Sequence, residues 1–399
     1  MSKLDTTILV LAVRGYLHGD IFMLELGVGM IGYGFMGKMH TYAYASLPFI
    51  YDPPPARIRF AAVCALSERS RSVAVERAGY AFSTDDYREL VNREDVDIVN
   101  VCTPNYLHRE QVLAALEAGK HVYCDKPLAI NALEAEQMVN AANKSGTTCQ
   151  VTFHLRYSPA ILRAKQLVDE GLLGDITAFR AVYLHSGYVD PNRPISWRTE
   201  KEKAGGGALV DLGSHVLDLL RYLVGDFVRV KAELRTLIRE RPISIGSDKK
   251  VPVTVDDVAL LELELSSGVT GTMEASRVAT GAQDDMRLEI HGTKGAMKFD
   301  LMDPNWLWVY DNTKPHAVLG GNRGWQRIET IQNYPMPASL PGGRCPVGWM
   351  RFHIASIYEF VARVAGSKPG NPSFEDGLAV QRIMDAAMRS AETGDWELL

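Results

Sequence analysis

Three glycines at a fixed spacing follow the first apolar run of the chain. Leu26–Ile31 is short and apolar, and Gly32, Gly34 and Gly37 come directly after it, ahead of an amphipathic segment. Between a strand and a helix, the first glycine makes a tight turn, the second lets the backbone approach a pyrophosphate, and the third lets helix and strand pack closely. The helix N-terminus then offers free N–H groups to phosphates. We therefore predict a dinucleotide site that includes Gly32, Gly34, Phe35, Met36 and Gly37.

The first part of the chain alternates short β-rich runs with amphipathic segments, which is typical of parallel βαβ units. Pro48–Arg57 interrupts the pattern with a run of prolines and predicts a surface loop. The predicted strands are Leu26–Ile31, Ile58–Cys64, Ile98–Cys102 and His121–Cys124, and the predicted helices are Met36–Ser46, Arg69–Ala78, Asp85–Asn92 and Leu107–Ala118. The sequence thus indicates an α/β fold with a doubly wound parallel sheet over residues 24–147.

From about residue 148 the pattern changes to longer alternating runs, which predict a largely antiparallel sheet with one solvated face. A stretch rich in proline and glycine, Asn333–Gly348, predicts an extended loop. The predicted strands are Thr148–Phe153, Ile176–Leu184, Val228–Leu237, Val258–Leu265, Val269–Ser276 and Arg287–His291, and the predicted helices are Pro159–Glu170, Gly207–Val224, Phe352–Val364 and Phe374–Thr393. We therefore expect a second, α+β domain over residues 148–399, closed by helices within 352–393.

Charge and cysteine content exclude several classes of protein. Lys plus Arg is 43 and Asp plus Glu is 48, which gives a formal net charge of −5 and argues against a nucleic-acid partner. No apolar run approaches the roughly 18 residues of a membrane span. The cysteines lack metal-ligand spacing, so we expect no metal, no disulfide framework and a reducing cytoplasm. They are Cys64, Cys102, Cys124, Cys149 and Cys345.

The N-terminus carries no recognisable secretion signal. Its apolar run Ile8–Val13 is short, follows Asp5 and lacks a small-residue cleavage site. Met23 stands directly before the first strand of the predicted parallel sheet. The hypothesis is that the native chain starts at Met23 and that residues 1–22 are a loosely packed extension.

The end of the second predicted strand bears on the choice of dinucleotide. Ala65 stands where an acid that binds the ribose hydroxyls of NAD is expected. Ser67, Arg69 and Arg71 offer a site for a 2′-phosphate, because a guanidinium fork suits phosphate. The alternative is that both arginines are solvated helix residues and that Glu68 replaces the missing acid. The interpretation leans towards NADP over NAD.

Two segments leave the next two strands at their carboxyl ends, where open α/β sheets bind ligands. Pro127 biases Lys126 towards an extended conformation that projects its ammonium into this crevice, although a lone lysine here is more often simply solvated. The candidate cofactor-binding residues of these segments are Cys102, Thr103, Pro104, Asn105, His108, Asp125 and Lys126.

A third segment places a histidine and a carboxylate on one helix face. Asp211 and His215 are four positions apart and lie away from the apolar stripe of the same predicted helix. A surface histidine beside a surface aspartate is the plainer interpretation. The triple glycine Gly205–Gly207 just before the helix favours close approach of a ligand.

Together these motifs resemble the glucose-fructose oxidoreductase, inositol dehydrogenase and rhizopine-catabolism (Gfo/Idh/MocA) family from about Leu24 to the C-terminus. The resemblance implies a Rossmann domain followed by a domain with an open antiparallel sheet, often used for oligomer contacts, and hence a homodimer or homotetramer. The four ordered motifs are Gly32-x-Gly34-x-x-Gly37 with His40, Cys102-Thr103-Pro104-Asn105-x-x-His108, Asp125-Lys126-Pro127 and Asp211-x-x-x-His215.

The resemblance also implies roles for individual residues. Lys126 corresponds to the catalytic lysine of the family, His215 to its general acid/base and Asp211 to the partner carboxylate. Asp125, where the family usually has glutamate, and Ala65 depart from the pattern. The substrate-binding residues implied in this way are Lys126, Arg156, Trp197, Arg198, Asp211 and His215.

These side chains suit oxidation of a secondary alcohol. His215 takes the O–H proton near neutral pH while hydride passes to the nicotinamide, and Lys126 stabilises the developing alkoxide. The resemblance makes the substrate a sugar, anhydrosugar or cyclitol. The alternatives are glycoside cleavage through transient oxidation by a tightly bound NAD(P) and a non-enzymatic dinucleotide-sensing regulator, which would need no proton-transfer set. His185 and Tyr188 are expected to be packing residues at a strand end rather than ligands.

Overall fold

A parallel sheet dominates the first part of the computed structural model, which describes residues 15–18, 21–331 and 334–399. Its strands are β1 (Gly15–His18), β2 (Ile21–Ile31), β3 (Arg57–Cys64), β4 (Phe82–Thr84), β5 (Ile98–Val101), β6 (His121–Cys124) and β7 (Cys149–Val151). Six strands run parallel in the order β4-β3-β2-β5-β6-β7, and β1 pairs antiparallel with the start of β2. Because the order reverses between β2 and β5, this is a doubly wound sheet with its switch point there, and the predicted Rossmann fold is confirmed.

Helices cover both faces of this sheet, so its central strands are buried on both sides and consist mainly of apolar residues. The α-helices of the described residues, in both domains, are α1 (Phe35–Ile50), α2 (Glu68–Ala78), α3 (Tyr87–Val91), α4 (His108–Glu117), α5 (Ala132–Ser145), α6 (Pro159–Asp169), α7 (Lys201–Ala204), α8 (Ser214–Val224), α9 (Trp349–Ala365) and α10 (Phe374–Thr393). Although α9 comes late in the chain, it packs with α1 on the first sheet and buries Ile357 and Phe360 against Leu26 and Val28.

The second domain is built on a nine-stranded sheet. It contains β8 (Ile176–Leu184), β9 (Phe227–Arg235), β12 (Val258–Leu265), β13 (Thr270–Ser276), β14 (Asp285–Gly292), β15 (Gly295–Asp300), β16 (Trp306–Asp311), β17 (Trp325–Glu329) and β18 (Glu397–Leu398). A separate hairpin pairs β10 (Glu240–Pro242) with β11 (Lys250–Pro252). The order is β17-β16-β15-β14-β8-β13-β12-β9-β18, and among these described strands only β8 and β13 pair in parallel. The predicted mostly antiparallel sheet is confirmed.

Some predicted boundaries are wrong. Helix α1 continues through Pro48 to Ile50, in the segment predicted as a loop, because Tyr44 and Leu47 are buried in a core shared with α9 and hold its last turns. Packing thus outweighs the loss of one helical N–H. The boundary predicted after residue 147 precedes β7, which pairs with β6, so the parallel sheet extends past it. Helix α5 and strands β4, β15, β16 and β17 were not predicted.

Part of the N-terminal hypothesis concerns residues 1–14, 19 and 20, which lie outside the described residues. Within the described part, Gly15–His18 is a strand paired with the start of β2 rather than a loose segment. The native start at Met23 stays a prediction. Among the described helices, none has the length and apolar character needed to cross a bilayer.

Candidate active site

One cavity joins the two domains along the carboxyl ends of the parallel strands. Its volume is about 1080 Å³, and its walls include the glycine turn at one end and Lys126, Asp211 and His215 at the other. Ligands of doubly wound sheets bind in this position, outside the strand ends at the switch point. The residues that the sequence motifs singled out on separate segments therefore surround one continuous space.

The three glycines of the turn have different roles, as their spacing predicts. Gly32 has a φ of 91°, and a Cβ there would lie 2.6 Å from the Cys102 carbonyl oxygen. A Cβ on Gly37 would lie 2.1 Å from the Gly32 carbonyl oxygen, whereas a Cβ on Gly34 would meet no atom within 4 Å. The first and third glycines thus permit close packing within the protein, and the open space at the second fits the pyrophosphate of a dinucleotide.

Two alanine substitutions should separate these roles. Gly34→Ala is expected to leave the melting temperature unchanged and to weaken NAD binding, because the added methyl group projects into open space at the turn. Gly37→Ala is expected to lower the melting temperature, because its Cβ collides with backbone. Thermal unfolding of the free protein and titration with NADH would measure both effects. Equal melting-temperature losses in the two variants would contradict this division.

Lys126 is held by the segment that carries Asp211. Its Nζ donates to the Asp211 backbone carbonyl oxygen at 2.6 Å and to Oδ1 of the same residue at 3.1 Å. An ammonium has three N–H donors, so one remains for a ligand. Asp125 also lines the cavity, and its Oδ1 accepts the backbone N–H of Lys126 at 2.9 Å. Asp125, which is one methylene shorter than the glutamate usual in the family, therefore fixes the backbone of Lys126.

Asp211 lies in a wide π-helical turn, Leu209–Gly213, rather than in the regular helix that its spacing predicts. Such turns occur often at functional sites. The turn begins where the Asp256 carboxylate accepts the backbone N–H groups of Gly207 and Leu209, at 2.7 and 2.8 Å. A Cβ on Gly207 would lie 1.8 Å from the Asp256 carbonyl oxygen, so this glycine allows approach of the protein backbone and not, as expected, of a ligand.

The charges around Asp211 and His215 set their protonation states. Burial would raise the pKa of Asp211, but the cations Lys126, Arg277 and Arg198 outweigh it and hold this pKa far below its ordinary value. Burial and then the charge of Lys126 place the pKa of His215 well below 6.5. At neutral pH the cavity therefore holds an aspartate anion and a neutral imidazole, which is a proton acceptor.

Aromatic packing orients the His215 ring. The rings of His154 and Tyr183 meet it edge to face, with centroids at 5.2 and 6.1 Å. His215 Nδ1 is buried and makes no hydrogen bond to the residues that the structure describes. Packing rather than a hydrogen-bonded carboxylate thus holds this imidazole. The resemblance makes Asp211 the partner of His215, but the described contacts include no direct hydrogen bond between the two side chains.

The loop after β5 lines the cavity, but one of its predicted residues does not. Cys102, Thr103, Pro104 and Asn105 are part of the wall. His108 is fully buried behind them, with its ring nitrogens at 2.9 Å from the Thr103 carbonyl oxygen and 3.0 Å from that of Pro127. It ties together the two loops that carry the candidate residues and does not reach the cofactor space, contrary to the prediction.

The loop after β3 supplies Ala65 and Ser67 to the cavity wall. Arg69 is exposed and lies outside the wall. The Arg71 guanidinium donates to the carbonyl oxygens of Ala65 at 2.6 Å and Leu66 at 3.1 Å, so it braces this loop. The structure therefore does not assemble the predicted arginine pair around a 2′-phosphate.

Two acids missed by the sequence analysis line the same end of the cavity. Asp85 and Asp86 follow the short strand β4, which was not predicted, and Arg88 lies beside them with its Nη1 3.7 Å from Asp86 Oδ1. Burial, followed by the charges of Asp86 and Asp85, raises the pKa of the Cys64 thiol to about 12. The carboxylates of Asp85 and Asp86 therefore place negative charge at this end of the cavity, beside Arg88 and with Arg71 Nη1 at 4.0 Å from Asp85 Oδ2.

On the substrate side, the structure brings Trp197 and Arg198 to the cavity but not Arg156. The Arg198 guanidinium lies 4.2 Å from the centroid of the Trp197 ring. Arg156 is buried, and its Nε and Nη2 donate to the two carboxylate oxygens of Asp218 at 2.8 and 2.5 Å. The Arg156 guanidinium is bound by Asp218 of helix α8. Its position therefore does not fit the expectation that it binds substrate.

Several residues of the cavity wall do not belong to any motif that could be recognised in the sequence. His185 lines the cavity, contrary to the packing role expected of it, whereas Tyr188 is buried outside the wall with the Arg277 guanidinium 4.3 Å from its ring centroid. Such residues lie on β8, on α9 and in loops, and the second sheet brings them together. The further members of the wall in the described part of the chain include His154, Tyr183, Arg277, Asp284 and Trp349.

Comparisons with known proteins agree with this arrangement. A family model described as an oxidoreductase family with an NAD-binding Rossmann fold matches residues 26–153, and the GFO/IDH/MocA C-terminal domain matches residues 161–298. Levoglucosan dehydrogenase of Pseudarthrobacter phenanthrenivorans is 36% identical over 94% of this chain and 98% of its own length. The 1,5-anhydro-D-fructose reductase of Ensifer adhaerens is 35% identical over 58% of this chain and 65% of its own.

Solved structures give the same result. A levoglucosan dehydrogenase in complex with NADH has a TM-score of 0.89 at 36% identity and covers 94% of this chain and 99% of its own. An oxidoreductase domain protein from Kribbella flavida has a TM-score of 0.88 at 38% identity, with the same shares covered.

Proposed function

Because the chain belongs to the GFO/IDH/MocA family of oxidoreductases, we propose that it oxidises a secondary hydroxyl of a sugar, anhydrosugar or cyclitol with NAD. One observation carries the proposal: the open glycine turn, the Lys126–Asp211 contact and the neutral base His215 all line one cavity. The named activities of the relatives, on levoglucosan and 1,5-anhydro-D-fructose, favour an anhydrosugar as the first class to test.

The residues divide the proton chemistry of this reaction among them. Nicotinamide, when bound, supplies the hydride acceptor. His215 accepts the hydroxyl proton, since its imidazole is neutral at neutral pH. The free N–H of Lys126 donates to the same oxygen and stabilises the charge that develops on it. Asp211 holds the ammonium in place through the two contacts of 2.6 and 3.1 Å.

The protonation state of His215 predicts the pH profile of alcohol oxidation. A base must be unprotonated to act, and burial places the pKa of His215 well below 6.5. The acid limb of kcat/KM, which reports the free enzyme, is therefore expected below pH 6.5, with little loss of rate between pH 8 and 6.5. Initial rates across this range, with enzyme stability checked at each pH, measure it. An acid limb centred at or above pH 6.5 in a stable enzyme would contradict the assignment.

The cofactor preference follows from the residues at the end of β3. Asp85 and Asp86 line the cavity there, and Arg71 Nη1 donates to the backbone carbonyl oxygens of Ala65 and Leu66. A ribose 2′-hydroxyl can donate to a carboxylate, whereas a 2′-phosphate would be repelled by it. These contacts support NAD and oppose the lean towards NADP drawn from the sequence.

The test is the absorbance of reduced nicotinamide when the protein is mixed with NAD or NADP and a panel of anhydrosugars, monosaccharides and inositols. Reduction of NAD by one polyol, faster than that of NADP, is the expected result. Tight NAD binding with no net reduction by any polyol would instead support glycoside cleavage through transient oxidation. The homodimer or homotetramer and the cytoplasmic location expected from the sequence stay predictions.

A further inference from the structure

A further carboxylate, that of Asp284, lines the cavity and has no part in the proton chemistry proposed above. Asp284 lies in the loop that precedes β14. Its Oδ1 accepts two hydrogen bonds, from the Tyr183 hydroxyl at 2.6 Å and from His185 Nε2 at 2.8 Å. Its Oδ2 makes no hydrogen bond to the residues that the structure describes, and 37% of the side chain is exposed. One oxygen is thus anchored by the protein and the other is available to a ligand.

Tyr183 sets the position of this free oxygen relative to the base. Its ring is buried and lies edge to face with His215 at a centroid distance of 6.1 Å, while its hydroxyl reaches Asp284. The His185 ring packs on Tyr183 at 5.1 Å and donates to the same carboxylate. Asp284 therefore stands across one tyrosine side chain from His215, on the wall of the same cavity.

The charge of Asp284 restricts the group that it can bind. Burial would raise the pKa of Asp284, but the hydrogen bonds from His185 and Tyr183 and the charge of Lys126 lower it below the ordinary value. An ionised carboxylate only accepts hydrogen bonds. A ligand must therefore present a donor such as a hydroxyl at this point, and a carbonyl, carboxylate or phosphate there would be disfavoured.

We propose that Asp284 Oδ2 accepts a hydrogen bond from a second hydroxyl of the substrate while the hydroxyl to be oxidised lies at Lys126 and His215. The inference rests on the proposed function and deepens it, because it makes the enzyme specific for polyols with two correctly spaced hydroxyls. Hydrogen bonds to charged groups contribute about 1.5–3 kcal/mol, so loss of this contact corresponds to about a 10- to 100-fold fall in kcat/KM.

The test combines a substitution in the enzyme with a deletion in the substrate. Asp284→Asn and the wild-type enzyme are compared on the best polyol and on each of its monodeoxy analogues, with NAD saturating. Asp285→Asn is the matched control, because this neighbouring acid carries the same charge, pairs with Arg287 at 2.9 Å and lies outside the cavity wall. NADH affinity and the melting temperature establish that each variant is folded.

The expected result is coupling at one hydroxyl. Asp284→Asn loses about 10- to 100-fold in kcat/KM on the parent polyol, but it turns over one deoxy analogue as fast as the wild-type enzyme does, and the control behaves as wild type. Equal losses on the parent and on every analogue, or no loss, would overturn the inference. If Asp284→Asn fails to fold, Tyr183→Phe, which removes one anchor of the carboxylate, takes its place. The loss of kcat/KM in Tyr183→Phe must then be smaller but must still disappear on one deoxy analogue. A loss that is the same on every analogue would overturn the inference.

These outcomes separate the inference from the proposed function. A wild-type enzyme that reduces NAD with a polyol but shows no coupling overturns only the role of Asp284. A wild-type enzyme that reduces NAD with no polyol overturns the proposed function, and the inference falls with it.

Discussion

His215→Ala is expected to lower kcat for polyol oxidation by about 10²- to 10⁴-fold, the usual contribution of a positioned general base. Lys126→Ala is expected to lower it by about 10²- to 10³-fold, as loss of a donor to a developing alkoxide does. Both should leave the Kd for NADH nearly unchanged, because the glycine turn and the loop after β3 form the other end of the cavity. Stopped-flow or steady-state rates with the active polyol, together with NADH titration, measure the two effects.

The controls for these variants are an exposed histidine and an exposed lysine, His316→Ala and Lys144→Ala, which should retain wild-type rates. Melting temperatures of all four variants must show that the folds are intact. Full activity in either His215→Ala or Lys126→Ala would break the proposed mechanism. Loss of NADH binding in parallel with activity would instead assign the residue to the cofactor site.

Asp218→Ala is expected to lower the free energy of unfolding by about 3–5 kcal/mol, the range for removal of one partner from a buried ion pair. Arg156 and Asp218 are almost completely buried, and the guanidinium meets both carboxylate oxygens. Asp376, at 3.2 Å from Arg156 Nη2, is the remaining partner and is expected to keep the loss within this range. Urea unfolding followed by circular dichroism measures the change.

The matched control is Asp226→Ala. Asp226 pairs with Arg221 at 2.5 Å but is 77% exposed, and an exposed ion pair contributes only about 0–1 kcal/mol. Similar losses of the free energy of unfolding in the two variants would show that burial does not determine how much the Arg156–Asp218 pair contributes to stability. The position of Arg156 outside the cavity wall predicts an unchanged KM for the polyol in folded Asp218→Ala. A changed KM would indicate that Arg156 contributes to substrate binding after all.

Secondary structure was predictable where one period dominated a segment. The bounds of β6, β8, β12 and α10 agree with the periodicity, because a buried face imposes regular spacing on the sequence. The predictions were wrong where packing overrode a local signal. Helix α1 runs past Pro48 because buried neighbours hold it. Helix α5 and strands β15 to β17 were missed, although they complete the two sheets and their covering layers.

The sequence by itself determined the chemistry that rests on local geometry. The glycine turn, the lysine that follows a strand end and the short spacing of Asp211 and His215 are written in contiguous residues, and the structure brings all of them to one cavity. Each depends on a few adjacent backbone torsions or on one strand-to-helix turn. For that reason the amino-acid sequence alone predicts the cofactor-binding fold and the candidate proton-transfer residues.

Only the tertiary structure decided which distant side chains meet. Arg156 pairs with Asp218, 62 residues away, and Asp284 joins Tyr183, 101 residues away. No local signal encodes such pairs, because the register of the second sheet and the packing of α8 against it set them. The same long-range packing buries His108 behind the cavity wall, brings Asp85 and Asp86 to its cofactor end, and leaves one oxygen of Asp284 free for a substrate hydroxyl.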